Sequence, residues 1–133
     1  MLSMPTQIFV NTTVNDLKKS RAFFEALGWH FNPDFSDDSA ACLVISDTIF
    51  AMLHTETSFR RFTSRPICDA KTANEVLLAI SCTNRDQVDE LVDKALAAGG
   101  TVFREPEDLG FMYCRSFQDL DGHVWEFFFM AQA

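Results

Sequence analysis

Basic residues are scarce in this chain of 133 residues: 11 Lys and Arg stand against 19 Asp and Glu, giving a formal net charge of -8. Nucleic-acid binding needs clustered Lys and Arg against phosphate, so this balance argues against that partner and is compatible with a neutral or cationic ligand. Cysteine is sparse too. Cys42, Cys68, Cys82 and Cys114 lie far apart with no Cys-x-x-Cys pair, which indicates neither a zinc site nor a disulfide framework and leaves buried or half-buried thiols as the expectation. No run approaches the roughly 20 apolar residues of a membrane span. The start Met1-Leu2-Ser3-Met4-Pro5 lacks the charged and apolar regions of a signal peptide, so a cytoplasmic protein without a membrane partner is expected. Other signatures are missing as well. Gly99-Gly100 follows a helical pattern instead of opening one, which removes the phosphate-cradling loop, and there is no Gly-x-Ser-x-Gly elbow.

What is there reads as one domain's worth of chain, 47% apolar with 14 Phe, enough to bury roughly two thirds of its unfolded surface. Its order repeats. Ile8 to Gly28 is an apolar strand, a polar break at Asn15-Asp16 and a helix closed by glycine; Leu77 to Gly100 repeats this with a break at Asn84-Arg85-Asp86. The first helix places Leu17, Phe24 and Leu27 near one face with Phe23 beside them; the second, opened by Asn84 and Gln87 in a capping-box-like pattern, carries Val88, Leu91, Val92, Ala95 and Leu96. Further strands are expected over 29–31, 40–45, 48–54, 101–104, 111–118 and 123–130. The result is an α+β fold of two βαβββ modules with curved mixed sheets. One domain over residues 1–133 then holds module one at about 7–54, an irregular connector at about 55–73 and module two at about 74–130. Two fused copies of one small module can enclose a cleft.

The opening Val14-Asn15-Asp16-Leu17, with Phe23-Phe24 and Leu27-Gly28, and the ending Asp119-Leu120-Asp121-Gly122-His123-Val124-Trp125-Glu126 resemble the glyoxalase, bleomycin-resistance and extradiol-dioxygenase superfamily, also called vicinal oxygen chelate proteins. The resemblance covers nearly the whole chain. Within it, Ile8 to Asn11, Ala40 to Asp47 and Gly110 to Tyr113 resemble a bacterial branch labelled lactoylglutathione lyase or glyoxalase-like. The resemblance implies a divalent metal held by His, Gln or Glu from the first and fourth strands of each module. Carried onto this chain, those four positions are Phe9, Met52, Leu77 and Glu126. Phe and Leu have no lone pair and a thioether favours soft Cu(I), so no metal and no other cofactor is expected. A shift of two residues would bring in Asn11 and His54 beside Glu126 and keep a divalent metal open as the alternative.

Glu126 carries two readings. Among Phe9, Met52 and Leu77 it would be desolvated and able to move a proton. If the Asp119 to Gly122 loop holds four residues, pairing Gln118 with His123, Arg115 sits opposite Glu126 and neutralises it or meets a ligand beside it. Glu126 and Arg115 are therefore the candidate catalytic pair, and Phe9, Asn11, Met52, His54 and Leu77 the candidate ligand-binding residues. Trp125, Phe127 and Phe129 alternate on the face opposite Glu126 and belong to the core. Phe59-Arg60-Arg61-Phe62 is a solvated helical turn or a lid or dimer element. The expectation is a glyoxalase-like homodimer handling an unidentified small molecule in a largely apolar cleft without the metal; a metal-dependent lactoylglutathione lyase and a bleomycin-resistance-like drug-binding protein are the alternatives.

Overall fold

A computed structural model describes residues 5–131; residues 1–4, read above for a leader, lie outside them. The chain divides into two compact units, with the seam between Ile67 and Cys68. In the first, strand β1 (Ile8–Thr13) leads into helix α1 (Leu17–Ala26), followed by β2 (His30–Asn32), β3 (Ala40–Val44), β4 (Ile49–His54) and a one-turn helix α2 (Glu56–Phe59). The strands form one sheet in the order β1-β4-β3-β2, with β1 parallel to β4 and the other pairs antiparallel. The second unit holds β5 (Leu77–Ser81), helix α3 (Arg85–Ala97), β6 (Thr101–Val102), β7 (Glu107–Asp108), β8 (Met112–Gln118) and β9 (Val124–Met130). Its sheet runs β5-β9-β8-β6, and β7 pairs with β8. The α+β architecture with two mixed sheets is as the sequence implies. β7 is a correction: the stretch after β6 pairs briefly with β8, so the second unit has one strand more than βαβββ.

Each helix begins where its polar break supplies a cap. Asp16 accepts from the Lys19 N–H at 3.1 Å, and Asn84 accepts from the Gln87 N–H at 2.8 Å, relieving helix donors that would otherwise lack partners. The Gln87 side chain reaches back to the Thr83 N–H at 2.8 Å, one residue earlier than in a strict capping box. Leu17, Phe23, Phe24 and Leu27 are buried below α1, as are Val88, Val92 and Ala95 on α3; Trp125, Phe117 and Phe127 fill the second core at 1% exposure or less. Each such large side chain contributes about 1.5–3 kcal/mol by leaving water. Cys42 and Cys114 are buried and Cys82 is half-buried, but Cys68 is exposed, contrary to expectation. Among the described residues no helix is long and apolar enough to cross a membrane.

The turn from β8 to β9 sets the geometry of everything beside Glu126. Gln118 pairs with Val124, not His123, so the loop has five residues and Ser116 lies opposite Glu126. Asp119 causes this. Its Oδ1 accepts from the Asp121 and His123 N–H groups at 2.9 and 3.0 Å, and its Oδ2 from Trp125 Nε1 at 3.0 Å. Gly122 has φ +88°, and a Cβ there would meet the Lys71 backbone nitrogen at 2.8 Å, so only glycine fits.

Candidate functional site

Alternation gives each sheet one face under a helix and one free of it. In the first unit Ala51 and Leu53 are buried at 1% exposure on one face, which leaves Phe9, Asn11 and Thr13 of β1 on the other with Phe50, Met52 and His54 of β4, where the one-turn α2 meets His54 through Ser58. Phe9 stacks on Phe50 with ring centroids 4.6 Å apart. Met52 is flanked by Asn11 and Cys42.

His54 is 3% exposed and fully engaged. The Asn11 Nδ2 donates to the Phe9 carbonyl at 3.2 Å, which turns its Oδ1 toward His54 Nε2, 2.7 Å away. The Nε2–H therefore donates, and Nδ1 is left to accept from the Ser58 hydroxyl at 2.9 Å. Phe59 and Phe62 rings stand at 5.9 and 5.4 Å from the imidazole. Burial, and then the nearby Arg61 charge, hold the His54 pKa below its ordinary value, so the ring stays neutral. Asn11 and His54 come together as the shifted placement requires, yet they bind each other and leave no imidazole lone pair for a cation. Phe59 closes α2 and Arg60 pairs with Glu56 at 2.6 Å, while Arg61 lies over the ring of Phe62, which is 69% exposed.

In the second unit Leu77 and Glu126 share the helix-free face, Leu77 pairing with Val124 and Ala79 with Glu126. Phe9 and Leu77 occupy equivalent positions within their own sheets, and so do Met52 and Glu126, as alternation implies. Arg115 does not join them. It pairs with Phe127, on the helix side of the sheet, where its Nη1 binds Asp89 at 2.9 Å and Asp93 at 3.0 Å. The expected Arg115–Glu126 pairing is therefore corrected: a one-residue change in loop length moves every side chain of the strand to the other face.

The residue that meets Glu126 is Arg104. Its Nε and Nη2 donate to Glu126 Oε1 at 3.1 and 3.0 Å, its Nη2 reaches Cys114 Sγ at 3.5 Å, and its backbone N–H donates to Ser116 Oγ at 3.3 Å. The bond to Glu126 holds the Arg104 pKa above its ordinary value. Burial, and then the Glu126 charge, push the Cys114 thiol up, so it is a poor nucleophile. Arg104 escapes a reading of the sequence because a strand continued through it would send it to the opposite face. Instead β6 ends at Val102 and Arg104 sits in a bend before Pro106; the proline was the available signal that the strand stops.

These residues do not fit the divalent metal that the resemblance implies. Phe9, Met52 and Leu77 offer no hard donor, and Glu126 already holds a guanidinium. Among the described residues no group of three or more His, Cys, Asp or Glu could hold a metal ion.

Comparison with known proteins adds what the chain is similar to. Residues 6–46 match the family described as bleomycin resistance protein-like N-terminal. No curated protein matches the chain. Among solved structures, hypothetical protein SA1046 from S. aureus shares 29% identity, with 96% of this chain and 95% of that one covered and a TM-score of 0.79. A glyoxalase/bleomycin resistance protein/dioxygenase family enzyme from Burkholderia phytofirmans PsJN shares 18% identity over 92% and 96% of the two chains at a TM-score of 0.75. The genomically encoded fosfomycin resistance protein FosX from Listeria monocytogenes shares 20% over 100% and 94% at 0.66. Residues 6–46 thus match the bleomycin resistance protein-like N-terminal family, and the chain shares the fold of structures titled glyoxalase/bleomycin resistance protein/dioxygenase.

Proposed function

We propose that this protein handles a small molecule on the helix-free sheet faces and does so without the superfamily's metal. One observation carries the reading: of the four positions that would hold the ion, three are Phe9, Met52 and Leu77, and the fourth, Glu126, is bound by Arg104 at 3.0 Å. Apolar walls with a few convergent polar groups are what small-molecule sites are made of. In this reading Phe9, Met52 and the Asn11 amide line the face of the first unit, and Leu77 with the Glu126–Arg104 pair lines that of the second. A cytoplasmic homodimer is part of the same proposal; Leu109, Phe111 and Met130, each more than half exposed, support self-association. The N-terminal match over residues 6–46 favours sequestration of a drug-like molecule over a lactoylglutathione lyase. Arg115, bound to two aspartates, is not the oxyanion partner in this scheme.

Metal analysis of protein purified without a nickel column tests the proposal, together with an assay for lactoylglutathione formation from methylglyoxal and glutathione. The expected result is no stoichiometric metal and no product with added Ni or Zn. Stoichiometric Ni, Zn, Mn or Fe on protein ligands at about 2.0–2.3 Å would overturn it.

A further inference from the structure

Helix α1 and the stretch that joins β2 to β3 leave a cleft of about 390 Å³, with Lys18, Arg21 and Glu25 on the helix, Asp37 and Asp38 on the loop, and Leu17 and Ala22 as its apolar lining. Positions 18, 21, 22 and 25 are spaced i, i+3, i+4 and i+7, so one stripe of the helix forms that wall. The loop wall is fixed. Asp37 Oδ1 accepts from the Ser39 N–H, the Ser39 hydroxyl and the Ala40 N–H at 2.8, 2.9 and 3.0 Å, and the Asp37 N–H donates to the Ala40 carbonyl at 2.8 Å. Those bonds, the Ser39 N–H first, hold the Asp37 carboxyl below its ordinary pKa, and its Oδ2 has no partner among the described residues. Arg21 is positioned by other means: its guanidinium carbon lies 5.1 Å from the Phe31 ring centroid, a stacking that engages the flat face and leaves the in-plane N–H groups open. Among the described residues no ion pair includes Lys18, Arg21, Glu25, Asp37 or Asp38. Cations from the helix and carboxylates from the loop thus border one space without closing it.

We propose that this cleft, separate from the sheet faces discussed above, binds a small zwitterion of the amino-acid class, with its carboxylate toward Arg21 and Lys18, its ammonium toward Asp37 and Asp38, and its apolar body against Leu17 and Ala22. The volume falls within the range of about 300–1,000 Å³ usual for small-molecule sites. An anion drawn to Arg21 meets the loop carboxylates as like charges, and a cation drawn to Asp37 meets Arg21 and Lys18 in the same way. A single exposed ion pair contributes little in any case. A ligand carrying both charges makes two favourable contacts for one loss of translational freedom, and the set positions of Arg21 and Asp37 reduce the ordering that binding requires. Preference for a doubly charged, net-neutral ligand follows from the division of charge between the two walls.

Three probes with one apolar body separate these cases: leucine, N-acetylleucine and leucinamide, which at about pH 6.5 carry both charges, the negative alone and the positive alone. Each is titrated into the full-length protein while the backbone amide signals of Ala22 and Asp38 are followed by NMR. Leucine should move both signals and bind at least about tenfold more tightly than either derivative, a difference of about 1.4 kcal/mol. Arg21→Gln should bring leucine down to the level of leucinamide and leave leucinamide no weaker; Asp38→Asn should bring it down to the level of N-acetylleucine. Lys18→Gln takes the place of Arg21→Gln if loss of the Phe31 contact unsettles α1. A derivative that matches leucine on the unaltered protein, leucine leaving the two signals unmoved, or leucine binding that none of these variants weakens overturns the proposal. Its failure leaves the metal-free reading untouched, since that concerns other residues and is decided by the metal analysis.

Discussion

Met52 and Glu126 stand at the same place in two sheets of like topology, and their surroundings differ in a way that fits each. Around Met52 the neighbours are Asn11 and the buried Cys42, and the nearest ionisable ring, His54, is kept neutral. Around Glu126 the chain brings in a bend with Arg104, a hydroxyl from Ser116 and a thiol from Cys114. A charge on a sheet face is tolerated where a loop can deliver its counter-charge, and the extra β6–β7 excursion of the second unit is that loop. In the first unit the equivalent stretch between β2 and β3, residues 33–39, carries no basic residue, and the face around Met52 stays uncharged.

The largest effect should come from exchanging the two residues. Met52→Glu places a carboxylate beside Cys42 with no cation delivered to it, and we expect a loss of about 3 kcal/mol in urea unfolding. Glu126→Met removes the partner of an arginine that is 38% exposed, for which about 1 kcal/mol or less is expected. Equal losses would show that the two faces are not differently prepared.

A smaller effect separates the faces by pH. Burial and Arg61 hold His54 below its ordinary value, so the folded chain takes up that proton less readily than the unfolded one. The contribution is complete above the unfolded value of about 6.5 and is lost as pH falls below it, with a slope of at most about 1.4 kcal/mol per pH unit. Urea midpoints at pH 8 and pH 5 should therefore differ more in the unaltered protein than in His54→Gln. Glu126→Gln, acting on the other face, should leave this part of the profile unchanged.

The smallest effect is an absence of coupling. Arg115 and Glu126 lie on opposite faces of one sheet and share no partner, so Arg115→Ala and Glu126→Gln should add to within about 0.5 kcal/mol in a double-mutant cycle. A coupling energy above that value would restore the cross-strand pair that the sequence suggested.

Local signals were legible. The caps Asp16 and Asn84, the repeat, and the alternation that puts Phe9 with Met52 and Leu77 with Glu126 all depend on residues close in sequence. The register of β8 against β9 was not, because it hangs on the Asp119 carboxylate gathering two backbone N–H groups and the Trp125 indole at once. Loop spacing alone gives four residues and sends Arg115 to the wrong side. Arg104 was hidden for a related reason, since its direction depends on where β6 stops and not on its own identity. The Asn11–His54–Ser58 chain joins two residues that the sequence marks as candidates to one that it does not; Ser58, four residues on from His54, acquires its meaning only from the α2 turn.

The close approach of the Lys71 backbone to Gly122 ties the residues just after the seam to the β8–β9 turn of the second unit. Counted by strands, the second unit starts near Leu77; counted by what its hairpin turn requires, it starts at or before Lys71. The residues just after the seam are thus a docked leader of the second unit, not slack between units. A change of chain length fits the stretch before Cys68, but not Lys71 without unseating the turn that sets the register of Glu126.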